Sequence, residues 1–161
     1  TGGKGVIDEK TLRKITLNYG GDESVIGNAV LFLNKNDLIA FGDVRGTNAK
    51  KAVYEINPDP ENPNTGIIKD GGLSVRYCLN NNLTACSGTA QQASSGEDVL
   101  TMCYGNPKCF ELDLFSDYEI AVSEDFAFDK LMDTIRGDVE LGGDVVVQDG
   151  FVFVKIPKKT A

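Results

Sequence analysis

The apolar runs of this sequence are short, and each is cut within a few residues by glycine, asparagine, aspartate or proline. Eighteen glycines and five prolines in 161 residues supply much of that punctuation. Runs of about four to eight apolar or alternating residues fit strands, whereas helices need about ten or more. No run approaches the roughly 20 residues that span a bilayer. The chain therefore builds its core from many short strands plus a few short helices near its front.

The front of the chain holds the helices. Asp8 is suited to cap a helix over Glu9–Leu17, with Leu12 and Ile15 on one face and Asn18-Tyr19-Gly20-Gly21-Asp22 ending it. Val30-Leu31-Phe32-Leu33 reads as a buried strand, and Asp37–Phe41 as a second helix capped by Asn36. Gly42–Lys50 reads as a polar connector, Ala52–Ile56 as a strand, and the proline-rich Asn57–Thr65 as an exposed loop. Further strands are predicted at Gly66–Ile68 and at Leu73–Leu79, the latter alternating with period two. Asn80–Glu97 is polar and low in hydrophobicity, hence an exposed loop. Val99–Tyr104 and Lys108–Leu112 around Gly105-Asn106-Pro107 read as a hairpin. Tyr118–Ser123, Thr134–Leu141, Val145–Val147 and Phe151–Ile156 are the remaining strands, with Asp149-Gly150 as a second hairpin signal. Phe126–Met132 is ambiguous between helix and loop. The sum is an α+β chain with a mostly antiparallel central sheet flanked by two helices.

Composition removes several function classes. The net charge of -8 opposes nucleic-acid binding, which needs a basic face, and the one basic tract, Lys155, Lys158 and Lys159, reads as a solvated terminus. The chain has no histidine, so Ser-His-Asp and Cys-His catalysis and His-containing zinc sites are excluded within it. Cys78, Cys86, Cys103 and Cys109 form no Cys-x-x-Cys pair, so neither a zinc ribbon nor a thioredoxin-type motif is present. They read as reduced, partly buried thiols, with two disulfides in any of three pairings as the alternative. Lys4-Gly5 lacks phosphate-loop spacing, and the acids Asp22, Glu23, Asp43, Asp59, Glu61, Asp70 and Asp113 do not follow calcium-loop spacing. Asn82-Leu83-Thr84 has the glycosylation pattern, which matters only in a secreted chain. Arg136, in an apolar strand, calls for a carboxylate partner, and Ser123-Glu124-Asp125 offers one. No catalytic, cofactor or metal motif is found, and the chain is read as no enzyme. Two other classes stay open: a disulfide-bonded cell-surface or pilin-like module, and a small carboxylate-dependent hydrolase.

Several segments fall in a telling order. They are the helix Leu12–Leu17, the strand Val30–Leu33 and the step Asn34-Lys35-Asn36-Asp37-Leu38 into a second helix. Tyr104-Gly105-Asn106-Pro107-Lys108 and Phe115-Ser116-Asp117-Tyr118 leading into Glu119-Ile120-Ala121-Val122-Ser123-Glu124-Asp125 come next. Thr134-Ile135-Arg136-Gly137 and Gly150-Phe151-Val152 close the series. In this order they resemble the C-terminal part of the tailed-phage major capsid proteins of the Hong Kong 97 type. Asp43–Asn48 and Leu131–Gly137 are similar to capsid proteins of phages or prophages of Gram-positive bacteria.

The resemblance implies a single fragment over 1–161. Approximately 20–120 would form mainly an axial domain, and approximately 121–161 strands returning to a peripheral domain. The opening at Thr1 and the lack of an arm, extended loop or spine helix agree with a fragment. It further implies a structural subunit of an icosahedral bacteriophage capsid, assembled in the bacterial cytoplasm and found in the virion. The partners would be other copies of the same protein, in pentamers and hexamers, with no cofactor, no membrane and no sequence-specific nucleic acid. The expected contact loop is Asn80–Glu97, with Asn80, Asn82, Ser87, Gln91 and Ser95 as contact residues, and Asn57–Thr65 as a second loop. No crosslinking residue is assigned.

Overall fold

Asp8 organises the first helix from outside it. Its Oδ1 accepts from the Lys10 amide at 2.9 Å and the Thr11 hydroxyl at 2.8 Å, and its own amide donates to Thr11 Oγ1 at 2.8 Å. Because these bonds hold Lys10 and Thr11 in a turn, the helix (α1) spans Thr11–Leu17 and starts later than the expected Glu9. Leu12 and Ile15 are buried, as their spacing predicts. In this computed structural model the described residues are 6–20, 28–47, 50–87, 98–123 and 134–156. The expected Phe126–Met132 segment therefore lies outside them.

The chain forms two compact units, Thr1–Cys109 with Val147–Ala161, and Phe110–Val146. The first contains β1 (Val30–Leu33), α2 (Lys35–Asp43), β2 (Glu55–Pro58), β3 (Thr65–Asp70), β4 (Leu73–Leu79), β5 (Val99–Gly105) and β10 (Phe151–Ile156). Its six-stranded sheet has the order β10-β5-β1-β4-β3-β2. All pairs are antiparallel except β1 with β4, which is parallel. The sheet is thus mixed, and α2 and the β2–β3 hairpin lie in the long connection that parallel pairing requires.

Alternation assigns the two faces. Leu31, Leu33, Ile68, Val75, Tyr77, Met102 and Ile156 are buried on one face with Leu12 and Ile15 of α1, Phe41 of α2, and Tyr54. Phe41 and Tyr54 meet edge to face at 5.1 Å, and the Tyr54 hydroxyl donates to the Asp8 carbonyl at 2.7 Å. Arg13 clamps Asp70 at the end of β3 through two bonds of 2.6 and 2.7 Å, which ties α1 to the sheet. This forked pairing raises the Arg13 pKa, the hydrogen bond to Asp70 being the main cause.

Four sequence expectations are corrected here. Asn34, not Asn36, caps α2: its Oδ1 accepts from the Asn36 amide at 2.9 Å, and the helix runs on through Asp43 into the expected connector. The strand expected at Ala52–Ile56 lies instead at Glu55–Pro58, where it can pair with β3. Gly105-Asn106-Pro107 does not close a hairpin. A 3-10 turn at Pro107–Cys109 follows β5, whose partners are β1 and β10. Asp149-Gly150 does form a turn, with Asp149 at φ 55 and the Gly150 amide on the Val147 carbonyl, but the strands beside it pair elsewhere.

The second unit is a two-stranded ribbon. β6 (Phe110–Leu114) pairs with β9 (Leu141–Val145), and β7 (Glu119–Ser123) with β8 (Thr134–Asp138). The expected strand Thr134–Leu141 is therefore split between β8 and β9, and Val145–Val147 is the end of β9 and the exit from it. At the break, the Phe115 amide donates to the Glu140 carbonyl at 2.9 Å and the Glu140 amide to Ser116 Oγ at 2.8 Å.

Candidate functional site: interaction surfaces

The expected contact loop begins as an anchored segment. Asp37, fully buried in the first turn of α2, accepts from the Cys86 amide at 2.9 Å, the Ser87 amide at 2.8 Å and the Ser87 hydroxyl at 2.7 Å. The Asn34 side-chain amide donates to the Leu83 carbonyl at 2.8 Å, and the Asn80 amide to the Leu33 carbonyl at 2.9 Å. One short stretch, Leu33–Asp37, thus fastens residues 80–87 to the end of β1 and the start of α2. Asn80 and Asn82 are exposed, whereas Ser87 is half-buried and engaged with Asp37 and the Asn36 carbonyl. Gln91 and Ser95 lie outside the described residues. Of the second expected loop, Asn57–Thr65, only Asp59–Asn64 is an exposed turn, held by the Asp59 amide on the Thr65 carbonyl at 2.9 Å; Asn57 and Pro58 end β2 and Thr65 opens β3.

Nothing among the described residues assembles into a reaction centre. No group of three His, Cys, Asp or Glu side chains converges as a metal site there. The four cysteines are free thiols. Cys78 and Cys103 both lie in register with Phe32, one on each neighbouring strand. That separates them by two strand spacings, about 9–10 Å, beyond disulfide reach. Burial pushes the Cys103 thiol up to about 11, so it is protonated and unreactive at neutral pH. The carboxylate that Arg136 meets is Asp138, at 2.6 Å, on an exposed surface. Glu124 and Asp125 lie outside the described residues.

Two uncovered surfaces stand out instead. In the ribbon, Phe110, Leu112, Leu114, Leu141 and Val145 share one side of β6–β9, and Ile120, Val122 and Ile135 one side of β7–β8. All are exposed, Leu112 at 61%, Ile120 at 72% and Ile135 at 70%. The opposite side of β6–β9 carries Glu111, Asp113 and Asp144, with Glu111 and Asp144 directly across from one another. Like charges in that position repel. Glu119 and Asp138 are opposed in the same way in β7–β8, but there Arg136 compensates.

The second surface is the sheet face turned away from the helices. One row crosses all six strands: Asn57, Ile67, Arg76, Val30, Gly105 and Phe151. The next row is Thr65, Cys78, Phe32, Cys103 and Phe153. None of these residues belongs to the core cluster; Ile67, Arg76 and Phe153 (49%) are exposed, Gly105 is buried and the rest are half-buried. Phe151 and Phe153 stack with ring centroids 6.3 Å apart. Arg76 is exposed and lines an open groove of about 510 Å³ with Asn57, Asp59, Thr65 and Ile67. Sequence reasoning passed over Arg76, although the period-two pattern of Leu73–Leu79 already sets it opposite Val75 and Tyr77.

No family model and no curated protein matches this chain. Among solved structures it is similar to a chain of the structure described as "Capsid of empty GTA particle computed with C5 symmetry", with a TM-score of 0.60 and 11% sequence identity. The match covers 92% of this chain and 44% of that one, so this chain spans less than half the length of the capsid chain it matches. At this identity the likeness is one of fold. Among the described residues the architecture is α+β, with two helices, a mixed six-stranded sheet and small two-stranded sheets, structurally like a Hong Kong 97-type capsid protein.

Proposed function

We propose that this chain is a structural, non-enzymatic part of the subunit that forms an icosahedral bacteriophage-type shell around DNA, built of pentamers and hexamers of one protein. The observation that carries the reading is the fold likeness to a capsid chain over 92% of the residues. The uncovered surfaces support it. A two-stranded ribbon exposing eight large apolar side chains is marginal in water alone, and exposed apolar patches of this extent mark contact surfaces. A heterologous contact repeated with a closing rotation yields rings, which capsomers require. The division into an axial part, approximately 20–120, and strands returning to a peripheral part, approximately 121–161, belongs to this proposal. So do contacts through the Asn80–Glu97 and Asn57–Thr65 loops, a phage or prophage of a Gram-positive host, and assembly in its cytoplasm. The acidic surface suits a shell that must not grip its DNA.

The test is fractionation of a culture that makes this protein. Particles are sedimented, and their content is read by mass spectrometry. Peptides from this chain are expected to dominate the particle band. Recovery only in the soluble or membrane fraction, with particles lacking it, would overturn the reading.

A further inference from the structure

We propose that the open sheet face centred on Arg76 docks against the acidic side of the β6–β9 ribbon of a second copy of this chain, with Arg76 set between Glu111 and Asp144 of that copy. The proposal rests on the shell-subunit reading and names one contact within it.

Arg76 is the odd one among four arginines. Arg13 is bound to Asp70, Arg136 to Asp138, and Arg45 to the carbonyls of Gly42 and Val44. Arg76 has no such partner among the described residues. Its cross-strand neighbours are Val30 and Ile67, not acids. Asp59 lines the same groove without reaching ion-pair distance, and its Oδ1 accepts from the Glu61 amide at 3.0 Å. An unpaired arginine flanked by Val30 and Ile67, with Phe32 diagonal to it on β1 and Phe151 and Phe153 farther along the same face, has the composition of an interface centre. Its planar fork selects a carboxylate pair.

The complementary defect lies on the ribbon. Glu111 and Asp144 oppose one another, with Asp113 on the same side and no basic residue there. A guanidinium inserted between them removes the repulsion and satisfies the arginine in one contact. Of the four arginines, Arg76 is the one without an ion-pair or carbonyl partner among the described residues, so its guanidinium is free to supply that contact. The contact joins different patches on the two copies, as ring formation needs.

The experiment is sedimentation velocity on the 161-residue chain over increasing concentration, at low and high salt. Concentration-dependent association is expected, weakening as salt rises from roughly 0.05 to 0.5 M because screened exposed charges carry it. Arg76→Glu should weaken it about tenfold or more, Glu111→Arg likewise, and the double variant should restore it. Exposed positions tolerate these changes, and an unchanged melting temperature will verify folding. A wild-type chain that stays monomeric overturns the proposal. So does association that strengthens with salt and ignores Arg76→Glu, which would assign it to the apolar side of the ribbon. The shell reading is scored separately, in the particle band.

Discussion

Asp37 shows how much of this fold hangs on single polar side chains. Its carboxylate is the common acceptor for two amides and a hydroxyl from residues 86 and 87, the Cys86 amide buried and the two Ser87 donors half-buried. Asp37→Ala strips three donors of their acceptor at once. At about 1–3 kcal/mol for the buried Cys86 amide and less for the half-buried Ser87 donors, whose hydroxyl keeps the Asn36 carbonyl, the loss should be about 2–3 kcal/mol. Urea denaturation will read this as a lower midpoint at unchanged slope; a loss below about 1 kcal/mol would mean that the segment finds other partners. The sequence signalled the local half of this device. Asn34-Lys35-Asn36-Asp37 announces a helix start, but both asparagines satisfy the same cap preference, so the pattern alone does not choose Asn34 over Asn36. The long-range half was not legible: Asp37's partners lie 49 and 50 residues away, and no local pattern encodes them.

Strands themselves were readable, whereas their pairing was not. Alternation and short apolar runs locate most of the ten strands among the described residues to within a few residues, since side-chain period survives in any partner geometry. Hairpin signals failed at Gly105–Pro107 and Asp149-Gly150 because a turn motif reports only a change of chain direction. Whether the flanking strands pair depends on which sheet each enters, and both turns stand where the chain passes between the six-stranded sheet and the ribbon. Two consequences follow at this scale. Gly66 sits in β3 where a Cβ would approach the Asn57 carbonyl at 2.5 Å and the Tyr77 ring at 2.8 Å. Gly66→Ala must push the β2–β3–β4 pairing apart, at a cost of about 1–3 kcal/mol, whereas Gly72→Ala, with open space around it, should be nearly neutral. Comparative thermal melts of the two variants decide this. The ribbon strands, which bury none of their described side chains, should also exchange amide hydrogens by local opening, on the order of a hundredfold or more faster than β1, β4 and β5. Equal protection across both sheets would mean that something already covers the ribbon's apolar side in solution.

At the scale of the whole molecule, the absence of histidine reaches from composition into thermodynamics. No side chain has an ordinary pKa between those of the carboxylates and the thiols, so stability should be nearly flat from about pH 6 to 8. The alkaline side differs, because the mixed sheet shields several weak acids. Cys103 rises from its ordinary 9.0 to about 11 through burial. Tyr54, Tyr77 and Tyr104 are all raised above 10.0, also chiefly by burial. Each group is protonated in both states below its unfolded value. As pH climbs past that value the unfolded chain releases protons that the folded chain retains, so the unfolded state is favoured. Stability is therefore complete below about pH 9 and declines from 9 to 11, with Cys103 contributing roughly 2 kcal/mol and the tyrosines extending the fall above 10. Urea midpoints between pH 7 and 11 measure the slope, and Cys103→Ala should flatten its first part while leaving the limb above pH 10. A wild-type midpoint that holds steady to pH 10 would show that the Cys103 side of the sheet is open to water. That water would then reach the thiol past the exposed Arg76 and Phe153 on the same face.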